Sequence, residues 1–233
     1  AANVAKSEFV SLVSHELKTP MTSMKGYLDI VLGEQAGPVD DTQADFLRIV
    51  RSNVDRMAKL VSDLTDVSRI ESGRLRLEFD VVSMAGVAAE VLRAMERQFA
   101  EKAQTVERFI SDDLPPVRGD RSRLVQIMAN LLSNAHKYTP QGGRITIRAA
   151  CIEEGDEHFV HVTVEDTGIG IHPDDQAHIF EKFFRAQDEV AQQAPGTGLG
   201  LNISRELVEM QGGRIGFESK YRQGTTFYLL IPV

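Results

Sequence analysis

The sequence predicts an α+β protein in two parts, a helical hairpin followed by an α/β sandwich. Residues 1–73 carry apolar side chains at steps of three, four and seven, the spacing that places side chains on one face of a helix. Residues 74–233 instead mix short alternating segments with helical ones, a pattern typical of a sheet covered by helices on one face. We therefore predict two domains with their boundary between residues 73 and 74.

Composition excludes several classes of protein. The 233 residues carry a formal net charge of −8 with acidic and basic residues intermixed, so we expect no nucleic-acid partner. Cys151 is the single cysteine, which rules out an intrachain disulfide and suits a reducing compartment. No apolar run approaches the roughly 20 residues of a membrane span, and no signal peptide is recognisable. We expect a cytoplasmic fragment of a longer protein, which could itself be membrane-anchored, because the sequence opens inside a helical pattern without a cap.

Residues 7–28 predict a first helix with two faces. The apolar face carries Val10, Val13, Leu17, Met24, Leu28 and Val31. At about 100° per residue, His15 projects to the opposite side, so we expect it to face solvent. Glu16 follows it directly, and an exposed imidazole beside a carboxylate is a candidate nucleophile with its own base. The alternative is a surface histidine without a role. Pro20 removes one backbone N–H and is expected to bend the helix.

A second helix follows the glycine- and proline-rich break at residues 33–38. Asp40 is a good N-cap with Gln43 three residues later, and Ser72-Gly73 is a stop signal. The helix carries a heptad seam of Leu47, Val50, Val54, Met57, Val61 and Leu64. Two helices alone cannot bury both of their apolar stripes. We therefore predict a homodimer in which two hairpins form a four-helix bundle. The alternative is a hairpin that packs on the second domain.

The second part has a different order of elements. We predict strands over 75–79, 105–110, 144–151, 159–165, 214–219 and 225–231, helices over 84–103, 120–138 and 199–211, and a mobile loop over 186–197. This order predicts helices on one face of a mostly antiparallel sheet.

Three clusters in this part are candidates for ligand binding. Asn130 and Asn134 lie one helical turn apart and share a face with Lys137. Amide oxygens suit Mg²⁺, and a lysine suits phosphate. The segment from Asp166 to Gly170 lies at a strand end, where a carboxylate can accept from an exocyclic amine and the glycines allow close backbone approach.

The third cluster, Gly196-Thr197-Gly198-Leu199-Gly200, opens into a helix N-terminus, which is a ready anion site. Each cluster alone is a weak signal. A dinucleotide-binding fold is excluded, because no βαβ unit surrounds the glycine loop.

Five motifs in order identify a family. Residues 14–20, S-H-E-L-K-T-P, match an H box, 130–138 an N box, 166–170 and 196–201 two glycine boxes, and 179–185 an F box. The sequence thereby resembles the catalytic core of sensor histidine kinases of two-component systems over its whole length. The resemblance implies a dimerisation and phosphotransfer hairpin followed by an ATP-binding domain of the Bergerat type.

The resemblance further implies ATP and Mg²⁺ as cofactors, autophosphorylation of His15, and transfer to an aspartate in the receiver domain of a response regulator. It implies that a sensor or linker domain precedes this sequence in the full protein. Glu16 would orient His15 and take up its proton, and Thr19 matches the position that holds a water for dephosphorylating the regulator. Whether the protein is such a phosphatase stays open.

The same resemblance assigns roles in the nucleotide site. Asn134 would ligate Mg²⁺, Asn130 and Lys137 would face the phosphates, and Arg185 would offset charge on the γ-phosphoryl group. The adenine would contact Asp166 and Tyr138. The remaining nucleotide-binding positions are Gly168, Gly170, Phe180, Gly196, Thr197, Gly198, Leu199 and Gly200. His136 departs from the motif, since an apolar residue is expected there.

Two alternatives remain at this stage. One is a different ATPase on the same nucleotide fold, such as a chaperone or a DNA-mismatch or topoisomerase ATPase; the H box ahead of that fold and the lack of any domain after Val233 argue against it. The other is a signalling scaffold without catalysis, which the presence of Asn134, Asp166 and the last three glycines disfavours.

Overall fold

The computed structural model describes the backbone of residues 2–111 and 113–233, and the side chains of residues 10, 12–111 and 113–233. The chain divides into two compact units, and the break between them falls after Leu75. Within the described residues, no helix combines the length and the apolar character that crossing a membrane requires.

The first unit is a hairpin of α1, Ala2–Leu32, and α2, Asp41–Glu71. The Asp40 carboxylate accepts from the Gln43 backbone N–H at 2.8 Å, and the Gln43 side chain accepts from the Asp40 N–H at 3.3 Å. This reciprocal pair satisfies two backbone donors and confirms the predicted start of α2. α1 continues through Pro20, which lacks one backbone N–H, and the bend expected there stays a prediction.

The heptad seam of α2 divides into two rows. Val54 and Val61 are buried against Met21 and Leu28 of α1, with Leu47 packed beside them. The other seam residues of α2 are exposed in the single chain, as are three apolar residues of α1; they are Val50, Met57 and Leu64, and Val13, Leu17 and Met24. A step of three residues turns a side chain about 60° around the helix, so the rows face different partners. Val54 and Val61 therefore pack within their own hairpin, and the exposed row is left for the second hairpin of the predicted dimer. A continuous dimer core along the whole seam stays a prediction.

The second unit is built on a five-stranded sheet. In chain order its strands are β2 (Thr105–Ile110), β4 (Arg144–Glu154), β5 (Glu157–Asp166), β6 (Arg214–Lys220) and β7 (Gly224–Pro232). In space the order is β2-β4-β5-β7-β6, and only the β2–β4 pair is parallel. A separate ladder pairs β1 (Asp80–Val82) with β3 (Val117–Gly119). The mostly antiparallel sheet was predicted; the small ladder was not.

Three long helices cover this sheet: α3 (Met84–Glu101), α4 (Arg121–Tyr138) and α7 (Gly200–Glu209). Their apolar faces meet alternate strand residues, for example Ile147 and its cross-strand neighbour Val164, which are almost fully buried. Two short helices, α5 (Pro173–Gln176) and α6 (Glu189–Gln193), lie in the connection between β5 and α7.

Two predicted elements were wrong. Residues 75–79 form no strand, because their backbone groups have other partners: the Leu75 N–H donates to the Arg69 carbonyl, and the Glu78 N–H to the Asp120 carboxylate. The segment 186–197 is not wholly a loop, since it contains α6. That helix is short because Asp188 caps its N-terminus and Pro195 follows closely after it.

Candidate functional site

His15 lies on the exposed side of α1, as its spacing predicts. Its side chain is 81% exposed, and Nδ1 is 3.8 Å from a carboxylate oxygen of Glu16. The buried Met21 and Leu28 hold the other side of the same helix against α2. Thr19, one turn after His15, is also exposed, and its hydroxyl donates weakly to the His15 carbonyl at 3.5 Å. The arrangement presents an accessible nitrogen nucleophile with a carboxylate within reach.

Asp166 ends β5 inside the second unit and is 7% exposed. One of its carboxylate oxygens accepts from the Gly168 N–H at 2.8 Å. Burial raises the pKa of Asp166 to about 6, although hydrogen bonds from the Gly168 and Thr225 backbone counteract part of that rise. A buried carboxylate of this kind can recognise a donor group that enters the site.

The two glycines after Asp166 are required by their surroundings. A Cβ on Gly168 would lie 2.6 Å from the Tyr138 carbonyl oxygen, and Gly170 has a φ of +65° with the Lys220 carbonyl where its Cβ would be. Larger residues are excluded at both positions. The Ile169 N–H between them donates to the Tyr138 carbonyl at 3.2 Å, so this loop is attached to the end of α4.

The α4 face holds the amides that the sequence singled out. The Asn130 amide donates to the Ser204 hydroxyl at 2.9 Å, and its oxygen lies where a Cβ on Gly200 would be. Asn134 is half-buried, and its side chain makes no hydrogen bond to any residue that the structure describes. The two asparagines therefore differ: Asn130 joins α4 to α7, whereas the Asn134 amide is available to a ligand.

Asn134 fits an Mg²⁺ site in which the protein supplies one oxygen ligand and the nucleotide and water supply the others. Among the side chains that the structure describes, which are those of residues 10, 12–111 and 113–233, no group of three or more His, Cys, Asp or Glu could hold a metal ion by itself. One hard amide oxygen is compatible with an ion held mainly by ligand phosphates and water, which is how Mg²⁺ commonly binds with nucleotides. Tyr138 is half-buried nearby on α4, and burial raises the pKa of its hydroxyl, so the ring stays neutral.

The glycine loop before α7 packs on the F box. Gly198 has a φ of +70°, and a Cβ there would lie 2.7 Å from the Phe183 backbone, whose N–H donates to the Gly198 carbonyl. The Thr197 hydroxyl accepts from the Leu199 N–H at 3.2 Å, and Leu199 is fully buried. Gly196 differs, because a Cβ there would meet no atom within 4 Å. Conformation demands glycine at 198, whereas open space surrounds 196.

The F box is attached to α7 as well. The Phe180 carbonyl accepts from the Asn202 amide at 3.0 Å, and the Arg205 guanidinium lies 5.4 Å from the centre of the Phe180 ring. Phe180 therefore supports the start of α7 from the side.

Arg185 has partners that the sequence did not indicate. Its guanidinium donates to the carbonyls of Ala191, Gln192 and Ala194 at 2.7–2.9 Å, which are the last carbonyls around α6. A cation at this end of a helix satisfies acceptors that have no partner within the helix. In this conformation the guanidinium is engaged by α6, and its role at a phosphoryl group stays a prediction.

His136, which departs from the expected motif, has a structural explanation. Its Nδ1 lies 2.7 Å from the Gln104 side-chain oxygen, and its ring meets Phe99 edge-on at 5.7 Å. Burial, followed by the charges of Lys102 and Lys137, lowers the pKa of His136, so it packs as a neutral ring. Sequence reasoning missed Gln104 and Lys102 here and Ser204 at Asn130, because each contact joins residues more than 30 positions apart.

Comparison with known proteins divides the chain in the same way. Residues 5–73 match the family model of the His Kinase A (phospho-acceptor) domain. Residues 119–233 match the model of the histidine kinase-, DNA gyrase B-, and HSP90-like ATPases.

Individual relatives match the full chain. It is 36% identical to the circadian input-output histidine kinase CikA of Synechococcus elongatus over 100% of its own length and 30% of that protein. It is 33% identical to the sensor histidine kinase WalK of Bacillus subtilis, with coverages of 97% and 38%. The chain thus spans only about a third of the length of these relatives.

Solved structures agree. Full-length ShkA in complex with AMPPNP matches with a TM-score of 0.76 at 30% identity, over 97% of this chain and 45% of ShkA. The histidine kinase AdeS of Acinetobacter baumannii matches with a TM-score of 0.65 at 26% identity, over 94% and 97% of the two chains.

Proposed function

Because the chain belongs to the sensor histidine kinases of two-component systems, we propose that it phosphorylates His15 from ATP and passes the phosphoryl group to a response regulator. One observation carries the proposal: an imidazole that is 81% exposed beside Glu16 on a helical hairpin, in a chain whose other unit matches an ATPase family. The acceptor in the regulator is an aspartate of the receiver domain. Because the relatives are longer, we propose that further domains of the full protein sense the signal. We also propose that this region lies in the cytoplasm.

In the proposed nucleotide complex, the Asp166 carboxylate accepts from the adenine amino group and the Tyr138 ring packs on the base. The loops on either side let the backbone approach the nucleotide closely; they contribute Gly168, Gly170, Phe180, Gly196, Thr197, Gly198, Leu199 and Gly200. The buried, raised-pKa carboxylate and the glycines that tolerate no Cβ support this assignment.

The phosphates lie along the α4 face in this proposal. Asn134 supplies an oxygen ligand to Mg²⁺, which would neutralise phosphate charge when bound. Lys137 faces the same phosphates, and Asn130 is held towards them through Ser204. Arg185 reaches the γ-phosphoryl group only after its guanidinium leaves the α6 carbonyls.

In the phosphorylation step, one ring nitrogen of His15 attacks the γ-phosphorus. An N–P bond forms as the P–O bond to ADP breaks, and Glu16 accepts the proton from the other ring nitrogen. Thr19 is our candidate for positioning a water in a possible phosphatase reaction on the regulator, because its hydroxyl lies one turn from His15 on the exposed side.

The test is incubation of the chain with γ-labelled ATP and Mg²⁺. We expect a protein-bound label that is lost in acid and kept in base, which indicates phosphohistidine, and that moves to one of a panel of purified receiver domains. ATP hydrolysis without any protein-bound label would instead favour a different ATPase on the same fold.

Nucleotide affinity should depend on pH through Asp166. The pKa of about 6 means that its carboxylate is protonated as the pH falls below that value, and the adenine contact loses its charged acceptor. We expect ATP affinity to weaken by up to about 1.4 kcal/mol between about pH 7.5 and about pH 5, because only about one unit of pH separates the lower limit from the pKa. Calorimetric titration across this range measures the loss.

The matched variants are Asp166→Asn and Glu165→Gln. Asp166→Asn should bind ATP weakly at every pH. Glu165→Gln should keep the pH dependence but move it to a slightly lower pH, because the Glu165 charge contributes to the raised pKa of Asp166. Because the folded-state pKa of Asp166 is raised, its carboxylate costs stability as pH rises through about 4 to 6. Asp166→Asn should therefore be more stable in urea at neutral pH, by up to about 3 kcal/mol. An acid-sensitive affinity in that variant would contradict the assignment.

Asn134→Asp should make nucleotide binding depend on the divalent ion. The new carboxylate adds a negative charge beside the phosphates, so we expect a larger loss of ADP affinity in chelator than with Mg²⁺ or Mn²⁺. Asn130→Asp is the comparison, because its amide is committed to Ser204 and is not the proposed metal ligand, so its defect should depend less on the ion. Equal ion dependence in the two variants would remove Asn134 from the metal site.

A further inference from the structure

The C-terminal end of α4 is held by two side chains from the connection between α3 and β2. The Lys102 ammonium donates to the carbonyls of His136, Lys137 and Thr139 at 2.9, 3.1 and 3.3 Å. The Gln104 amide donates to the carbonyls of His136 and Thr139 at 3.1 and 2.8 Å. The last carbonyls of a helix have no partner within it, so these five bonds complete the helix end from outside.

Lys102 and Gln104 do not bond the Tyr138 carbonyl, but that carbonyl has another hydrogen-bond donor. The Tyr138 carbonyl accepts from the Ile169 N–H, in the glycine loop that follows Asp166. The connection itself is fastened to the segment after α4, since the Lys102 carbonyl accepts from the Gly142 N–H at 3.0 Å and the Thr105 N–H donates to the Gly143 carbonyl at 2.9 Å. The end of α4 therefore has little freedom to shift.

The charge of Lys102 is directed to this helix end alone. Among the described residues no carboxylate lies within ion-pair distance of its ammonium, and burial lowers its pKa. A cation placed at a helix C-terminus is stabilised by the helix dipole, and here it bonds three carbonyls directly. Lys102 thus differs from the nearby surface cation Arg97 of α3, which pairs with Glu101 at 2.8 Å in solvent.

His136 determines how the Gln104 amide is turned. Because Nε2 of Gln104 donates to carbonyls, its Oε1 is the acceptor left for His136, whose neutral ring then carries its proton on Nδ1. The ring orients the amide, and the amide holds the helix.

The same turn of α4 carries the residues that face the nucleotide. Resting on the proposed function, we propose that Lys102 and Gln104 are positioning residues of the nucleotide site, which fix the last turn of α4 so that Lys137 and Tyr138 meet the bound nucleotide. Neither residue touches the ligand. Both act through the α4 carbonyls.

The test measures the dissociation constant of ADP with Mg²⁺ by calorimetry, well below the unfolding temperature of each variant. Lys102→Met should weaken ADP binding about tenfold, the order expected when charge-assisted hydrogen bonds at the helix end are lost. Arg97→Met, which removes the same charge five residues earlier in α3, should leave affinity within about twofold. Gln104→Met provides a second route to the same result if Lys102→Met does not fold.

A double-mutant cycle separates positioning from general destabilisation. In a Lys137→Met background, Lys102→Met should weaken ADP binding by clearly less than tenfold, because one of the two side chains that it positions is already gone. Full additivity, or wild-type affinity in both Lys102→Met and Gln104→Met, would overturn the inference. Absence of ADP binding by the wild-type chain would instead overturn the proposed function itself.

Discussion

Replacing His15 with glutamine is expected to abolish the acid-labile label from ATP and to leave ATP affinity unchanged. Glutamine keeps a polar side chain of similar size on the exposed side of α1, but it has no nucleophilic ring nitrogen. The hairpin core should be unaffected, because Met21 and Leu28 lie on the other side of that helix. The nucleotide residues all lie in the other compact unit, after Leu75.

The chain contains a close control for this experiment. His158 is also exposed, and its Nδ1 is 3.7 Å from a Glu153 carboxylate oxygen, almost the geometry of His15 and Glu16. His158→Gln should label like the wild type, so a neighbouring carboxylate alone does not make a phosphorylation site. ATP affinity is measured by calorimetry on both variants. Label that persists in His15→Gln would show that another nucleophile accepts the phosphoryl group.

The second large effect is expected at the proposed dimer interface, where the two rows of α2 should respond differently to a buried charge. Met57 is 48% exposed in the single chain, so Met57→Glu should leave each hairpin folded. In a four-helix bundle of two hairpins, the same carboxylate would be buried without a partner, at a cost of several kcal/mol for each copy. We expect a helical monomer that no longer phosphorylates His15.

Val54→Glu is the contrasting variant. Val54 is 5% exposed inside one hairpin, so a charge there should unfold the hairpin as well as prevent association. Sedimentation reports the association state, and circular dichroism reports the helix content. ADP affinity should survive in both variants, because the second unit has its own apolar core. A Met57→Glu chain that remains dimeric would show that the exposed row is not the interface.

The limits of sequence reasoning are clear in the seam of α2. The spacing of three and four correctly identified its apolar residues, because periodicity is a property of the helix itself. It did not indicate which row faces α1, since that depends on how the two helices are rotated against each other. Met21, absent from the predicted stripe, decides this by packing against the buried row.

The nucleotide site divides in a similar way. The sequence singled out the glycines, Asp166 and Asn134, because backbone conformation and ligand chemistry restrict the residue type at such positions. Their roles towards the nucleotide stay predictions. The partners of Arg185 and Lys102 were not predicted. A guanidinium or ammonium can bond any acceptor within reach, and its sequence neighbours do not reveal which carbonyls the fold brings to it.

The sequence therefore predicted the elements that depend on local physical chemistry. Apolar spacing predicted the helices, the Asp40 capping box predicted the start of α2, and glycines marked several turns where φ is positive. The exposed position of His15 followed from the same helical geometry. Only the tertiary structure decided that residues 75–79 form no strand, that Val54 is buried within its own hairpin, and that Lys102 holds the end of α4. Each of these depends on contacts between distant parts of the chain, whose free energies no local pattern of residues records.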